Sequence, residues 1–279
     1  MQIYQLPVRP LPCKLHYFTA VPHVQRLLAT IQPDVLLAYY VTGYGTLAAL
    51  TGFHPIVQVT SGSDVLIAPR NPMMNLLLRY TLRRADLVTA WAPHMAEAAR
   101  RLGVSQARIL ALPRGIPYQQ FANSRALPPS VNDPITVIST RSLNSNYNID
   151  RLLKAVSLLH RNGVACSITL AGEGPSRDQL VSCAEQLGMT NQVRFAGFVP
   201  NDQLPALLAQ HNLYVSLIDS DGVSASLLEA MTAGLLPIVP DHPANRFWIR
   251  DGENGILLGD LSPDGIAQGI RRNFRPLLT

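Results

Sequence analysis

Two carboxylates separated by seven residues are the feature of this chain best suited to chemistry. Asp221 and Glu229 flank a stretch of small residues, 222–228, that is typical of a turn running into a helix. Apolar runs at 213–218 and 235–239 precede and follow it and indicate buried strands. Open α/β sheets bind ligands where a strand ends in such a loop, and the amides of a first helical turn suit phosphate groups.

These groups together indicate the class of ligand. A phosphate site between two carboxylates suits a molecule with both phosphates and sugar hydroxyls, which points to a nucleotide sugar. Each carboxylate also has a plain structural interpretation. Asp221 fits an ordinary turn, and Ser226 with Glu229 matches a capping box, in which the Glu side chain reaches back to the capping residue's amide. Taken alone, the spacing favours the cap.

The same stretch resembles the donor-site motif of the retaining glycosyltransferases of family 4, which have the GT-B fold. That motif is an acidic residue, seven residues and then Glu. Residues 221–231, followed by 241–246, are similar to one branch of the family. The resemblance implies that Glu229 holds the ribose hydroxyls of the donor. It implies that Asp221, one methylene shorter than the usual Glu, holds the transferred sugar, so the two are the expected catalytic residues.

The resemblance also implies a set of donor-binding residues. Arg141 follows the apolar run 135–139, where the family has an arginine on the diphosphate; the alternative is a solvated loop arginine. The family's usual lysine five positions later is Asn146 here. Losing one charged hydrogen bond of ~1.5–3 kcal/mol would weaken donor binding by ~10- to 100-fold. The remaining implied donor-binding residues lie in the motif: Gly222, Val223, Ser224, Ala225, Ser226 and Leu227.

Composition bounds the class of protein. A chain of 279 residues predicts two domains, and 47% hydrophobic against 15% charged residues predicts a sizeable core. The net charge of +5 suits a phosphate-bearing ligand or an anionic membrane surface, whereas the absence of a long basic run argues against nucleic acid. Cys13, Cys166 and Cys183 form no close pair, which favours a reducing cytoplasm over disulfides or a zinc site.

The location of the protein is predicted from the same features. The first residues lack the basic-then-apolar pattern of a signal peptide, and no apolar run approaches the ~18 residues that span a bilayer. We therefore expect a cytoplasmic protein that at most lies peripherally on the inner face of the membrane.

Short apolar runs alternate with helical patterns along the whole chain, which predicts parallel sheets. The predicted strands are 35–40, 56–60, 87–90, 108–112, 135–139, 166–171, 193–198, 213–218, 235–239 and 255–258. The predicted helices include 94–102, 149–160, 176–187 and 203–210. Prolines and turn residues at 122–134 indicate a linker. The expected domains are residues 1–127 and 134–279.

With the resemblance, the fold class is α/β, with two Rossmann-like parallel-sheet domains facing a cleft. Family members open with a strand and a glycine-rich loop, and they end with a helix that returns to the first domain. Neither element is found here, so the chain looks truncated at both ends and the first domain incomplete.

Three further motifs have competing interpretations. Gly62 and Asp64 resemble the family's acceptor-side loop, although Asp64 also fits a helix cap. Two glycines in 171–175 would need a third at Arg177 for a dinucleotide site, so that interpretation is weak. Asp219 and Asp221 match a short metal-binding motif of an unrelated glycosyltransferase fold.

The resemblance implies metal-independent, retaining transfer of a sugar from a UDP- or GDP-linked donor to a glycan, lipid or small-molecule acceptor. It implies no cofactor beyond this co-substrate. The scattered histidines give no metal site. The alternatives are a non-catalytic module that binds a nucleotide sugar or a partner, a sugar-nucleotide epimerase of the same fold, and, last, a metal-dependent transferase built on Asp219 and Asp221.

Overall fold

The computed structural model describes residues 3–6, 16–124 and 134–273. The chain forms two compact units, Met1–Arg114 with Ser220–Val223, and Gly115–Asp219 with Ser224–Thr279. Each unit is built on one parallel β-sheet with helices, which confirms the predicted α/β class. The predicted domain limits stay a prediction; most of the predicted linker, and Cys13, lie outside the described residues.

The first unit carries a four-stranded sheet in the order β1-β2-β3-β4, with every neighbouring pair parallel. Its elements are α1 His16–Ile31, β1 Leu36–Tyr39, α2 Thr46–Thr51, β2 Ile56–Val59, α3 Ser63–Leu66, α4 Pro72–Arg83, β3 Leu87–Ala90, α5 Pro93–Arg101 and β4 Ile109–Ala111. The core lies between this sheet and the helices, around the buried side chains of Leu78, Leu82, Val88 and Met95.

The second unit carries a six-stranded parallel sheet in the order β10-β9-β8-β5-β6-β7. Its elements are α6 Tyr118–Ala122, β5 Ile135–Ser139, α7 Ile149–Arg161, β6 Cys166–Leu170, α8 Arg177–Gln186, β7 Val193–Phe195, α9 Leu204–Leu208, β8 Leu213–Val215, α10 Ala225–Thr232, β9 Leu236–Pro240, α11 Pro243–Arg246, β10 Ile256–Leu258 and α12 Pro263–Asn273. Among the described helices, none is both long and apolar enough to cross a bilayer.

The strand order of the second sheet fixes where a ligand can bind. The chain adds β6 and β7 on one side of β5 and then returns to place β8 on its other side. Connections therefore leave β5 and β8 in opposite directions, and a crevice opens at their carboxyl ends. Arg141 follows β5, and Ser216 follows β8.

Two predicted strands are too long. The predictions 193–198 and 213–218 correspond to β7 Val193–Phe195 and β8 Leu213–Val215. Gly197 adopts a φ of 68°, which a continuing strand excludes, so the chain turns away after β7. The apolar residues that follow each strand are buried or line a cavity without pairing in the sheet. Hydrophobic periodicity alone does not distinguish such residues from strand residues.

A fully buried carboxylate organises the loops of the first sheet. Asp64 accepts hydrogen bonds from the backbone amides of Val41 at 3.0 Å, Ser61 at 3.0 Å and Gly62 at 2.9 Å. It does not cap α3, whose capping residue is Gly62, so the cap interpretation is wrong. The acceptor-side role of Gly62 and Asp64 stays a prediction. The structure adds that this side chain fixes the loops after β1 and β2.

Asp64→Asn should lower the free energy of unfolding by about 1.5–3 kcal/mol. Asparagine keeps one acceptor oxygen. Its NH2 group would face a backbone N–H that in the native protein donates to the other carboxylate oxygen. Urea denaturation with a constant m-value measures the effect. Asp34→Asn is the matched control, because Asp34 is exposed. Equal stability of the two variants would contradict the role given to Asp64.

Candidate functional site

The side chain of Arg141 joins three elements at the crevice of the second unit. Its Nε donates to the hydroxyl of Ser216 at 2.8 Å, just after β8. Its Nη2 donates to the hydroxyl of Ser224 at 2.6 Å, at the start of α10. Arg141 itself follows β5, so one guanidinium ties both strands of the switch point to the helix. The structure thus places the predicted Arg141 where an open α/β sheet binds its ligand.

An aromatic ring helps to set the orientation of this guanidinium. The ring centre of Tyr147 lies 5.3 Å from the guanidinium carbon of Arg141, which is within cation–π range. Arg141 is partly buried at the crevice. An arginine held in this way recognises phosphate through a fixed fork of donors.

The capping-box interpretation of Ser226 and Glu229, the structural alternative to ribose binding, is wrong. The helix α10 begins at Ala225, and its cap is Ser224, whose hydroxyl accepts from the amide of Leu227 at 3.1 Å. Both serines could cap a helix, but the hydroxyl of Ser226 shares hydrogen bonds with the hydroxyls of Tyr214 at 2.8 Å and Ser224 at 3.0 Å. Glu229 therefore lies in the body of the helix.

The first turn of α10 offers fewer amides than the motif suggested. Of the amides at 224–227, that of Leu227 is occupied by the capping hydroxyl. The amide of Gly222 donates to the Asp221 carboxylate at 2.8 Å. The amides of Ala225 and Ser226, in the first turn, have no partner within the helix and carry the positive end of its dipole.

A cavity of about 320 Å³ lies beside this turn, entirely within the second unit. Its volume is at the lower end of the ~300–1,000 Å³ usual for small-molecule sites. The predicted Glu229 and Ser226 line it. The rest of its wall comes from the ends of β5, β6 and β7 and from α9: Thr140, Ser142, Ala171, Gly172, Glu173, Phe198, Val199, Asn201 and Leu204. Sequence analysis had noted only the turn at 171–175 among these.

Two glycines allow the loops beside the cavity to pack closely against each other. A side chain at Gly172 would collide with the backbone carbonyl of Arg141, and one at Gly174 would lie 2.8 Å from the amide nitrogen of Leu143. The amide of Leu143 donates to the carbonyl of Glu173 at 2.9 Å, so the two loops pack backbone to backbone. Gly172 and Gly174 thus allow the two loops to pack closely. This role does not require a third glycine at residue 177.

Asn148 was missed as a site residue. It is buried, adopts the left-handed conformation with a φ of 52°, and precedes α7. Its side-chain amide donates to the carbonyl of Leu217 at 2.7 Å and to the carboxylate of Asp219 at 3.3 Å. The nearby Asn146 is exposed, and its predicted contact with the donor stays a prediction. Asn148 instead holds the loop after β8 in place.

Asp221 belongs to the first unit, whereas Glu229 belongs to the second. The carbonyl of Asp221 lies 3.4 Å from Nε2 of His94 in the first turn of α5. Burial lowers the pKa of His94, while the Asp221 carbonyl and charge act in the opposite direction. Within the described ranges, no group of three or more His, Cys, Asp or Glu side chains is placed to hold a metal ion. The joint action of Asp221 and Glu229 on one ligand stays a prediction.

Comparison with known proteins extends these observations. Residues 120–274 match the family model of glycosyl transferases group 1, and residues 1–91 match that of glycosyl transferase 4-like proteins. A putative glycosyltransferase of Bacillus subtilis, EpsD, is 31% identical over 45% of this chain and 32% of its own length. The lipopolysaccharide core biosynthesis glycosyltransferase LpsE of Rhizobium meliloti is 28% identical over 68% of this chain and 54% of its own length. The chain thus spans about a third to a half of these relatives.

Solved structures share the fold. HepE of Anabaena, determined in complex with UDP and glucose, superposes with a TM-score of 0.76 over 93% of this chain and 72% of its own, at 18% identity. Sucrose-phosphate synthase from Thermosynechococcus elongatus gives a TM-score of 0.77 over 96% of this chain and 72% of its own, at 17% identity. These likenesses confirm the predicted GT-B fold. Because a family model covers more than half of its length, this chain belongs to the glycosyl transferases group 1 family.

Proposed function

We propose that the chain binds a nucleoside-diphosphate sugar at its second unit and takes part in retaining transfer of the sugar to an acceptor hydroxyl. The observation that carries this proposal is the position of Arg141. Its guanidinium lies at the switch point of the sheet, bound to Ser216 and to the cap of α10. The cavity lined by Glu229 begins beside it.

The two parts of the site suit the two parts of such a donor. The Arg141 charge and the amides of Ala225 and Ser226 suit a diphosphate, because helix N-termini and arginines both bind phosphate oxygens. The cavity suits the nucleoside. There Glu229 would accept hydrogen bonds from ribose hydroxyls, and the exposed ring of Phe198 offers a face for a base.

In the proposed reaction the bond from the anomeric carbon to the diphosphate oxygen breaks, and a bond to the acceptor oxygen forms on the same face. The acceptor proton moves to an oxygen of the departing diphosphate, so no protein nucleophile is required. Asp221 would hold hydroxyls of the transferred sugar. The protein contributes positioning and stabilises the negative charge that develops on the diphosphate, mainly through Arg141.

The names of similar proteins narrow the candidate donors and acceptors. HepE was crystallised with UDP, and a mannosyltransferase of Mycolicibacterium smegmatis that is 24% identical over 81% of this chain is named for GDP-mannose and a phosphatidylinositol monomannoside. We therefore propose a UDP- or GDP-linked donor and a glycan or lipid-linked acceptor. Binding without transfer is the second candidate, favoured by the neutral Asn146 where the family has a lysine.

Calorimetry with UDP, GDP and ADP tests the donor site. At least one of them should bind with a dissociation constant below millimolar, and Arg141→Gln should weaken that binding by about 10- to 100-fold, since a charged hydrogen bond is lost. Arg161→Gln, an exposed arginine at the end of α7, is the control. No binding of any nucleotide at millimolar concentration would overturn the proposal. Sugar transfer on addition of an acceptor separates catalysis from binding alone.

Donor binding should not depend on a divalent metal. Arg141 and the helix amides supply the positive charge for the diphosphate, and Asn148 already donates to Asp219. Nucleotide affinity measured with and without EDTA should agree within about twofold, which is ~0.4 kcal/mol. A large loss on chelation, restored by manganese or magnesium, would favour metal binding by Asp219 and Asp221 instead.

Glu229→Gln tests the ribose contact, because α10 is capped by Ser224 and not by Ser226 together with Glu229. Loss of the charge should weaken nucleotide binding by ~1.5–3 kcal/mol, or at least tenfold. Glu185→Gln is the matched control, an exposed residue on α8. If Glu229→Gln and the control bind nucleotide equally well, Glu229 does not hold the ribose.

A further inference from the structure

The segment that carries Asp221 packs on the loops of the first sheet. Residues 220–223 belong to the first unit, whereas the chain before and after them belongs to the second. Gly222 and Val223 are buried, and Asp221 is partly buried. Asp221 lies in neither a helix nor a strand, unlike Glu229 in α10. Its position therefore depends on contacts with other parts of the first unit, since loops hold a side chain less precisely than helices or strands do.

One of these contacts joins two glycine backbones. A Cβ atom added to Gly62, in the loop after β2, would lie 2.8 Å from the amide nitrogen of Gly222. A Cβ atom added to Gly222 would lie 2.8 Å from the carbonyl oxygen of Ser61 and 3.1 Å from the Cα of Gly62. A Cβ atom does not come within 3.0 Å of backbone atoms without displacing them. Glycine is therefore required at both positions for the segment to lie where it does.

The loop after β2 is held in place by groups of its own. The buried carboxylate of Asp64 accepts hydrogen bonds from the amides of Ser61 at 3.0 Å and Gly62 at 2.9 Å. Gly62 also has a φ of 124° and a ψ of −82°, a conformation that residues other than glycine rarely adopt. The loop is thus a fixed surface against which residues 220–223 pack.

The peptide group between Asp221 and Gly222 connects this surface to the carboxylate. Its N–H, which lies against Gly62, donates to Oδ1 of Asp221 at 2.8 Å. Its oxygen lies 3.4 Å from Nε2 of His94, in the first turn of α5. One peptide group is therefore held at its nitrogen by the loop after β2 and at its oxygen by α5, and the same group fixes the carboxylate.

We propose that the loop after β2 and the first turn of α5 position the Asp221 carboxylate for the transferred sugar. Gly62 and His94 are then positioning residues, and neither needs to touch the donor. The inference rests on the function proposed above, because it takes Asp221 as the group that holds the sugar. It assigns recognition of the sugar to the first unit, whereas affinity for the nucleoside diphosphate belongs to Arg141 and the second unit.

Close packing for stability alone is the alternative interpretation. In that case, a disruption of the contact lowers the free energy of unfolding and affects every ligand to the same extent. Positioning of Asp221 affects only the part of the donor that this carboxylate holds. The two interpretations therefore differ in the ratio between the affinities for a nucleotide sugar and for its nucleoside diphosphate.

Calorimetry with two pairs of ligands, UDP with UDP-glucose and GDP with GDP-mannose, measures this ratio. Gly62→Ala should leave the affinity for the nucleoside diphosphate unchanged within about twofold. It should weaken binding of the matching nucleotide sugar by about tenfold or more, because hydrogen bonds from the sugar to a displaced carboxylate are lost.

Gly52→Ala is the matched control for this variant. Gly52 also has a positive φ, 76°, but a Cβ atom added there meets nothing within 4 Å. The substitution therefore strains the backbone of the first unit without a collision. It should bind both ligands of each pair as the wild-type protein does, within about twofold.

His94 provides a second variant that leaves the glycine backbones undisturbed. His94→Ala removes the contact with the Asp221 carbonyl. It should weaken nucleotide-sugar binding by roughly three- to tenfold, with unchanged affinity for the nucleoside diphosphate. His94→Gln keeps a side-chain N–H donor and should restore most of the loss.

Hydrogen exchange of the unliganded protein gives a readout that needs no ligand. The amides of residues 220–223 should exchange at least about tenfold faster in Gly62→Ala than in the wild-type protein, because the close backbone packing is lost. In Gly52→Ala they should exchange at the wild-type rate.

Three results would overturn the inference. The first is equal weakening of nucleoside diphosphate and nucleotide sugar in Gly62→Ala and His94→Ala, which indicates packing alone. The second is nucleotide-sugar binding that neither variant changes. The third is unchanged hydrogen exchange at residues 220–223 in Gly62→Ala. No binding of any nucleotide by the wild-type protein overturns the proposed function and this inference with it, whereas normal nucleotide binding with any of the three results overturns this inference alone.

Discussion

The contact of Arg141 with the cap of α10 is the interaction on which the candidate site depends. It places a full positive charge against the helix end that already carries the positive end of the dipole. The hydroxyls of Ser216 and Ser224 accept hydrogen bonds from this guanidinium, so the residue after β8 and the cap of α10 hold the charge at the crevice. In the function proposed above, a phosphate at this position would interact favourably with both the guanidinium and the helix end, and the fold of the second unit brings these two groups together.

The sequence predicted the elements that carry the site better than the contacts within it. Strand β5 was predicted to the residue, because its run of branched apolar residues has clear ends. The position of Arg141 after it followed directly. Ser216 and Asn148 were missed because their roles depend on partners more than 65 residues away, across the switch point. The choice between Ser224 and Ser226 as cap depended on the hydroxyl of Tyr214, which no local pattern reveals.

The first unit shows a different limit of sequence reasoning. The helix α1 was not predicted, although Val24, Leu27, Leu28 and Ile31 have helical spacing. In α4, apolar residues occur on nearly every side, so periodicity could not separate the buried face from the exposed one. Burial depends on which neighbours the sheet order supplies, and that order is a property of the whole unit. Only the structure divides α4 into a core face and a solvent face.

The cavity has one side that tolerates substitution and one side that does not. The side that does not is the close backbone packing at Gly172 and Gly174. Any larger residue at either position would force two loops apart and displace Arg141 with them. The opposite wall, around Phe198 and Asn201, lies beyond the end of β7, where side chains are free of sheet register. Single substitutions there would change the shape and chemistry of that wall, while the packed loops beside Arg141 keep their positions.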